Sequence, residues 1–169
     1  MKILNFKIKN SSRGYSVLEL LFYVSFFAVF SLLVIQAMVT MAKSFREASI
    51  QSELAQGGVI MERITREIRQ AYGINSISAS GLKLDTTDAN DVNKTVEFLL
   101  SGSNVQFLEN DVLTGNLNGA NIVVTGLTFT EITTVKGKAV KVTLTIRSGN
   151  DSLARLQNFY NTIVLRGGY

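Results

Sequence analysis

The chain has 169 residues, enough for one domain plus an additional element. It contains no His and no Cys, which excludes Ser-His-Asp and Cys-His catalysis, disulfides and the usual zinc sites, and it contains no Pro, which favours long uninterrupted helix and strand. The net charge of +4 belongs entirely to Lys2, Lys7, Lys9 and Arg13; beyond residue 14 the thirteen basic and thirteen acidic residues cancel, so the body lacks the surplus expected of a generic nucleic-acid binder.

From Tyr15 to Val39 the chain is apolar with few exceptions, and Glu19 is the only charged residue among them. A helix of about 20 predominantly apolar residues spans a bilayer. Basic residues before the span favour a cytoplasmic leader, with the rest of the chain across the membrane. A secretory signal peptide would have an apolar stretch of about 7–15 residues and a small-x-small cleavage site. Here the run is longer and no Ala-x-Ala follows it. A plain signal anchor accounts for the length but leaves Gly14 and Glu19 without a role. Taken singly, Gly14 reads as a flexible residue and Glu19 as a carboxylate reaching back to the interface.

Taken together they read differently. Arg13-Gly14-Tyr15-Ser16-Val17-Leu18-Glu19-Leu20 resembles the type IV prepilin signal. The resemblance implies cleavage after Gly14 by a prepilin peptidase, N-methylation of the new N-terminal Tyr15, and Glu19 as the fifth mature residue. Tyr15 stands where the family usually has Phe and keeps the aromatic ring. Charge chemistry supports this pattern independently. A carboxylate at the membrane centre costs roughly 2.5–3.5 kcal/mol and less near the interface, and such a residue usually has a partner. A cut after Gly14 creates an amine four residues before Glu19, one helical turn away. In a filament a neighbouring subunit can supply that amine, so the expected role of Glu19 is to fix axial register between packed helices.

The helical pattern continues past the span. Met41, Phe45 and Ala48, then Leu54, Met61, Ile64, Ile68 and Ala71, form one apolar stripe, with Glu62–Arg66 and Arg63–Glu67 as i,i+4 pairs on the polar side. Gly57-Gly58 interrupts the stripe and predicts a kink or local softening, because each glycine costs about 1 kcal/mol in a helix interior. Gly73 is the expected stop.

Beyond Gly73 the period changes to two. Thr95–Leu100 and Val105–Leu108 flank Ser101-Gly102-Ser103, a hairpin signature. Asp85–Asn93 reads as a polar loop. Ile122 and Val124 have one parity and Leu127 and Phe129 the other, so Gly126 marks an expected bulge. Val140, Val142, Leu144 and Ile146 alternate with polar residues, as do Phe159, Ile163 and Leu165; Lys136-Gly137-Lys138 marks a turn.

The expected fold class is therefore α+β: a pilin-like long N-terminal helix, its inner half transmembrane, with an antiparallel β-sheet packed on its outer half. The expected organisation is a leader over 1–14, a transmembrane helix over 15–39, an amphipathic helix over 40–72 and a β domain over 73–169. Glu53-Leu54-Ala55-Gln56, Met61 to Ala71 and the final Phe159 to Arg166 look like the J-type minor pseudopilins of type II secretion and their type IV pilus relatives. That resemblance implies no catalytic activity and no cofactor. It implies a prepilin peptidase/methyltransferase, other pilin or pseudopilin subunits, an inner-membrane assembly platform, and membrane lipid before assembly as partners. The implied location is the bacterial inner membrane, then a periplasmic or cell-surface filament.

Other chemistry is weaker. Asp85, Asp88 and Asp91 lack the alternating acidic pattern and turn glycine of a calcium loop, so they are expected to be solvated. Arg63, Arg66 and Arg69 are interleaved with Glu62 and Glu67, which favours a solvated face over a nucleic-acid stripe. The rival to a purely structural subunit is a filament-tip binding module whose sheet grips DNA, a surface or a secreted cargo. An anchored enzyme would have to work without His or Cys.

Overall fold

The computed structural model describes residues 17–135 and 137–165. The leader, Gly14 and Tyr15 lie outside the described residues, as do Lys136 of one expected turn and Arg166 at the end of the final strand motif. The chain divides into two compact units between Phe45 and Arg46.

One helix, α1 (Val17–Gln70), runs through both units. In the first unit it carries the apolar run, and every large apolar side chain from Val17 to Phe45 is exposed. In the second unit one face is buried, beginning at Ile50 and continuing through Leu54, Ile60, Ile64 and Ile68. Met41, Phe45 and Ala48, the expected beginning of the stripe, are exposed instead. Both expected ion pairs form, Arg63–Glu67 at 3.0 Å and Arg66–Glu62 at 3.7 Å.

The glycines behave differently from the expectation. Helical assignment is uninterrupted through Gly57-Gly58. Leu54, Gly57, Met61, Ile64, Ile68 and Ala71 follow one another at alternating steps of three and four, so Gly57 occupies a core position in the stripe. A Cβ there would lie 2.3 Å from Phe159 Cε2 and 2.7 Å from Ile146 Cδ1. Gly57 therefore lets the helix backbone approach a strand. Gly73 is not the helix stop either. Tyr72 N–H donates to the Asp85 carbonyl at 3.0 Å, and Gly73 opens a strand paired with Asp85. The ladder captures the chain before a left-handed cap is needed.

Among the described residues eight antiparallel strands follow, giving an α+β chain. They form two sheets where sequence periodicity suggested one. β1 (Gly73–Ile77), β2 (Gly81–Thr87), β3 (Asn93–Ser101), β4 (Asn104–Glu109) and β5 (Val112–Asn116) form the first, in that order. β6 (Ile122–Thr134), β7 (Gly137–Ser148) and β8 (Gln157–Val164) form the second. Asp85 to Thr87, expected in a loop, complete β2, and the turn is confined to the residues between β2 and β3. The hairpin at Ser101-Gly102-Ser103 is present, with Gly102 at φ 60°. The bulge at Gly126 is present too: Val124 pairs with Ile146 and Gly126 with Thr145, leaving Thr125 as the extra residue.

Alternation buries one face of each sheet. Leu82, Leu84, Val96 and Phe98 from the first sheet, and Val140, Val142, Leu144 and Ile146 from the second, share one core cluster with the buried residues of α1. Phe98 and Phe107 are register partners whose rings lie 5.4 Å apart. The sheets are tied by Val124 N–H to the Ser103 carbonyl and Phe129 N–H to the Ala79 carbonyl. Asn118 adds a buried clasp. Its Nδ2 donates to the carbonyls of Ser103 and Ile122 and to Asn104 Oδ1, while its Oδ1 accepts from Val105 N–H.

Candidate functional site

Glu19 lies in the first turn of α1, where the positive end of the helix dipole favours a carboxylate. It is half-buried and is the only charged residue from Val17 to Ala42. Tyr23, one turn later, directs its hydroxyl at Glu19 Oε1 at 3.4 Å. Sequence reasoning found Glu19 and missed Tyr23, although the i,i+4 spacing was legible. Around them the helix surface is apolar, with Val17, Leu18, Leu21 and Phe22 all exposed.

A surface of this kind is stable only against lipid or another apolar surface, since each Å² left in water costs about 25 cal/mol. The helix is long and apolar enough to cross a membrane. Its polar side chains are compatible with that. Thr40 Oγ1 donates to the Gln36 carbonyl at 2.9 Å and Ser44 Oγ to the Thr40 carbonyl at 3.0 Å, so both hydroxyls are satisfied within the helix.

A second polar constellation joins the start of the second unit to the β7–β8 connection. Buried Glu53 accepts from Ser148 Oγ through Oε2 and from Asn150 Nδ2 through Oε1 at 2.8 Å. Arg46 Nη2 donates to the Asn150 carbonyl at 2.9 Å. Arg155 places Nη1 and Nη2 on the two oxygens of Glu47, each at 2.8 Å, and Nε on Asp151 Oδ2 at 2.8 Å. Asp151 also accepts the N–H groups of Leu153 and Arg155. The Arg155 guanidinium, with these two amides, holds Asp151 down at about 2. Glu47 is held below the usual carboxylate range by Arg155 and then Gln51, and Arg155 is raised by both carboxylates. Every group in this constellation is answered by another, which makes it a fastening between helix and loop.

No protein-family profile, curated protein or solved structure matches this chain.

The remaining polar clusters resolve into structural roles. Asp85, in β2, accepts from Asn75 Nδ2 at 3.0 Å. Asp88 closes the β2–β3 turn by accepting from Val92 and Asn90 N–H, which hold it below its usual value. Asp91 occupies a left-handed turn position at φ 58°. Among the described residues no group of three or more His, Cys, Asp or Glu is placed to hold a metal ion. Arg66 and Arg69 are exposed, but Arg63 is not part of a solvated stripe. Its guanidinium lies 5.0 Å from the Phe107 ring centroid and pairs with buried Glu67.

Proposed function

We propose that this chain is a minor pilin or pseudopilin subunit of a type IV pilus or type II secretion machine, of the J-type kind. A prepilin peptidase cuts after Gly14, Tyr15 becomes the methylated N-terminus, and the helix waits in the inner membrane with its β domain outside. An assembly platform then transfers it into a filament beside other pilin or pseudopilin subunits. Its task is structural, in filament assembly or tip formation.

The observation that carries this reading is a lone carboxylate one turn inside an otherwise exposed apolar helix. A simple anchor gains nothing from Glu19. A helix that exchanges lipid for neighbouring helices gains a register mark, because beyond the Tyr23 hydroxyl of its own helix the carboxylate gains a charged partner only where an amine meets it.

Mass spectrometry of the N-terminus tests the reading directly. Membrane-extracted protein from a peptidase-positive host should begin at Tyr15, with one added methyl group; an intact Met1 sinks the proposal. Replacing Glu19 by Ala should leave membrane insertion intact and reduce assembly. Unchanged assembly would remove the register role.

A further inference from the structure

The connection between β7 and β8 is a loop closed on itself. The N–H groups of Gly149, Asn150 and Asp151 donate to the Asn121 carbonyl, to Ser148 Oγ and to the Ser148 carbonyl. Those of Leu153 and Arg155 donate to the Asp151 carboxylate, and that of Ala154 to the Asp151 carbonyl. The Asp151 carboxylate and that of Glu47 in α1 are both drawn onto the Arg155 guanidinium. What the loop turns outward is largely apolar: Leu153 is 75% exposed and Leu156 58%, with exposed Ala154 between them. Single exposed leucines are ordinary. Two on a loop whose amides already have partners form a surface that can leave water without stranding those donors.

This loop is fastened to α1 close to the end of the apolar run. Arg46 Nη2 donates to the Asn150 carbonyl, and Glu47 takes the fork of Arg155. Later residues of the helix meet β8 instead, Gly57 at Phe159 and Thr65 at Asn161. Lys43 is the first charged residue after Glu19 and marks where the apolar run ends. From Lys43 to Glu47 is about 6 Å of helix, and no more than about 14 Å of any polypeptide. The polar layer on each side of the hydrocarbon is about 5–8 Å deep. Chain length alone therefore keeps the loop's attachment near the lipid headgroups, at any angle between the two units.

We propose that Leu153 and Leu156 insert into the membrane interface where α1 emerges, making the β7–β8 loop a second lipid contact of this chain. The proposal rests on the membrane half of the function above, that the apolar run lies in a bilayer. Lipid is the occupant because the bilayer that takes the apolar run ends within that short length of chain from the loop. Leucine side chains suit the boundary between headgroups and acyl chains. The charges agree with it. Lys43 and Arg46 are exposed and suit anionic headgroups, while the nearby carboxylates of Glu47 and Asp151 are engaged by Arg155. A β domain held by α1 alone is tethered to the membrane; one held also by this loop is docked on it.

The chain has no Cys, so one introduced cysteine takes a single nitroxide label. Full-length Leu153→Cys and Leu156→Cys are labelled in vesicles of phosphatidylethanolamine with a minor share of phosphatidylglycerol. Val29→Cys reports the apolar run. Val112→Cys reports an exposed position on β5, near the row of register partners that starts at Gly73 beyond the other end of α1. Oxygen concentrates in lipid and a nickel chelate stays in water, so the access of each to a label separates lipid, water and protein interior. The oxygen-to-nickel ratio at residues 153 and 156 should be at least about threefold that at residue 112, as for a side chain at the headgroup–acyl boundary. Leu156→Asp, a charge at an exposed position, should bring the ratio at residue 153 down toward that at 112. Ratios at 153 and 156 equal to that at 112, with residue 29 in lipid, overturn the proposal and leave the membrane reading standing. Low access of both reagents at 153 and 156 means that protein covers them, and overturns lipid as the occupant. A residue 29 label that reads water overturns the membrane reading, and this proposal with it.

Discussion

The Phe159 ring of β8 rests against the backbone of Gly57 in α1, so closely that a methyl group at residue 57 would overlap it. Gly58, the next residue, has nothing within 4 Å of the same position. Two adjacent glycines therefore have opposite meanings. Gly58→Ala should stabilise the chain by about 0.5–1 kcal/mol, the usual gain on replacing an exposed helical glycine. Gly57→Ala should destabilise it, because overpacking of about 1–3 kcal/mol outweighs the same helix gain. Urea midpoints of the two variants in detergent should move in opposite directions.

Ser148→Ala should cost about 1–3 kcal/mol by leaving one oxygen of buried Glu53 without its donor. Asn150→Ala should cost less, since residue 150 is exposed and water replaces its amide at the other oxygen. The check is a comparison of unfolding midpoints at neutral pH.

Asp151 gives a pH signature. Its folded value, about 2, lies below the ordinary 3.8, so its contribution to stability is fully present above the ordinary value and disappears as pH falls from about 4 toward 2. Protonation should release the Leu153 and Arg155 amides that it accepts, seen as faster exchange in that window. Arg155→Met should move this loss to higher pH, toward the ordinary carboxylate range. An unmoved carboxyl titration in the variant would refute Arg155 as the cause.

Asn118→Asp should destabilise the β domain. The new carboxylate would face the Ser103 and Ile122 carbonyls that now receive N–H donors, at about 1–3 kcal/mol for each group left unanswered. Asn118 precedes Gly119, so deamidation of unfolded chains through a succinimide, to isoaspartate and aspartate, removes the same amide donor and should lower the yield of refolded native protein. Comparing refolding yields of fresh and aged denatured protein measures this.

Periodicity made the long alternating strands legible. Val140 to Ile146 and the parity change at Gly126 could be read because each apolar side chain there has a fixed face. β1 and β5 were obscure because Gly73 to Ile77 and Val112 to Asn116 are short and poor in buried residues, and β2 because its last residues, Asp85 to Thr87, are polar and read as loop although Leu82 and Leu84 alternate. The division into two sheets depends on contacts such as Val124 to Ser103 that leave no local pattern. Gly57 was misread as a break, although the seven-residue gap from Leu54 to Met61 divides around it as three and four. Glu19 was legible because one charge in an apolar run is conspicuous. The Glu53 constellation was not, because its partners come from about a hundred residues away.

The fastening of Arg46, Glu47 and Glu53 to the β7–β8 connection begins where the exposed apolar run ends. Tension applied to α1 from its N-terminal side thus reaches the bonds of Arg46 and Glu47 before it reaches Ile50, where the buried apolar face begins. A pull from that side would meet polar bonds to the β7–β8 connection ahead of the buried apolar face of the helix.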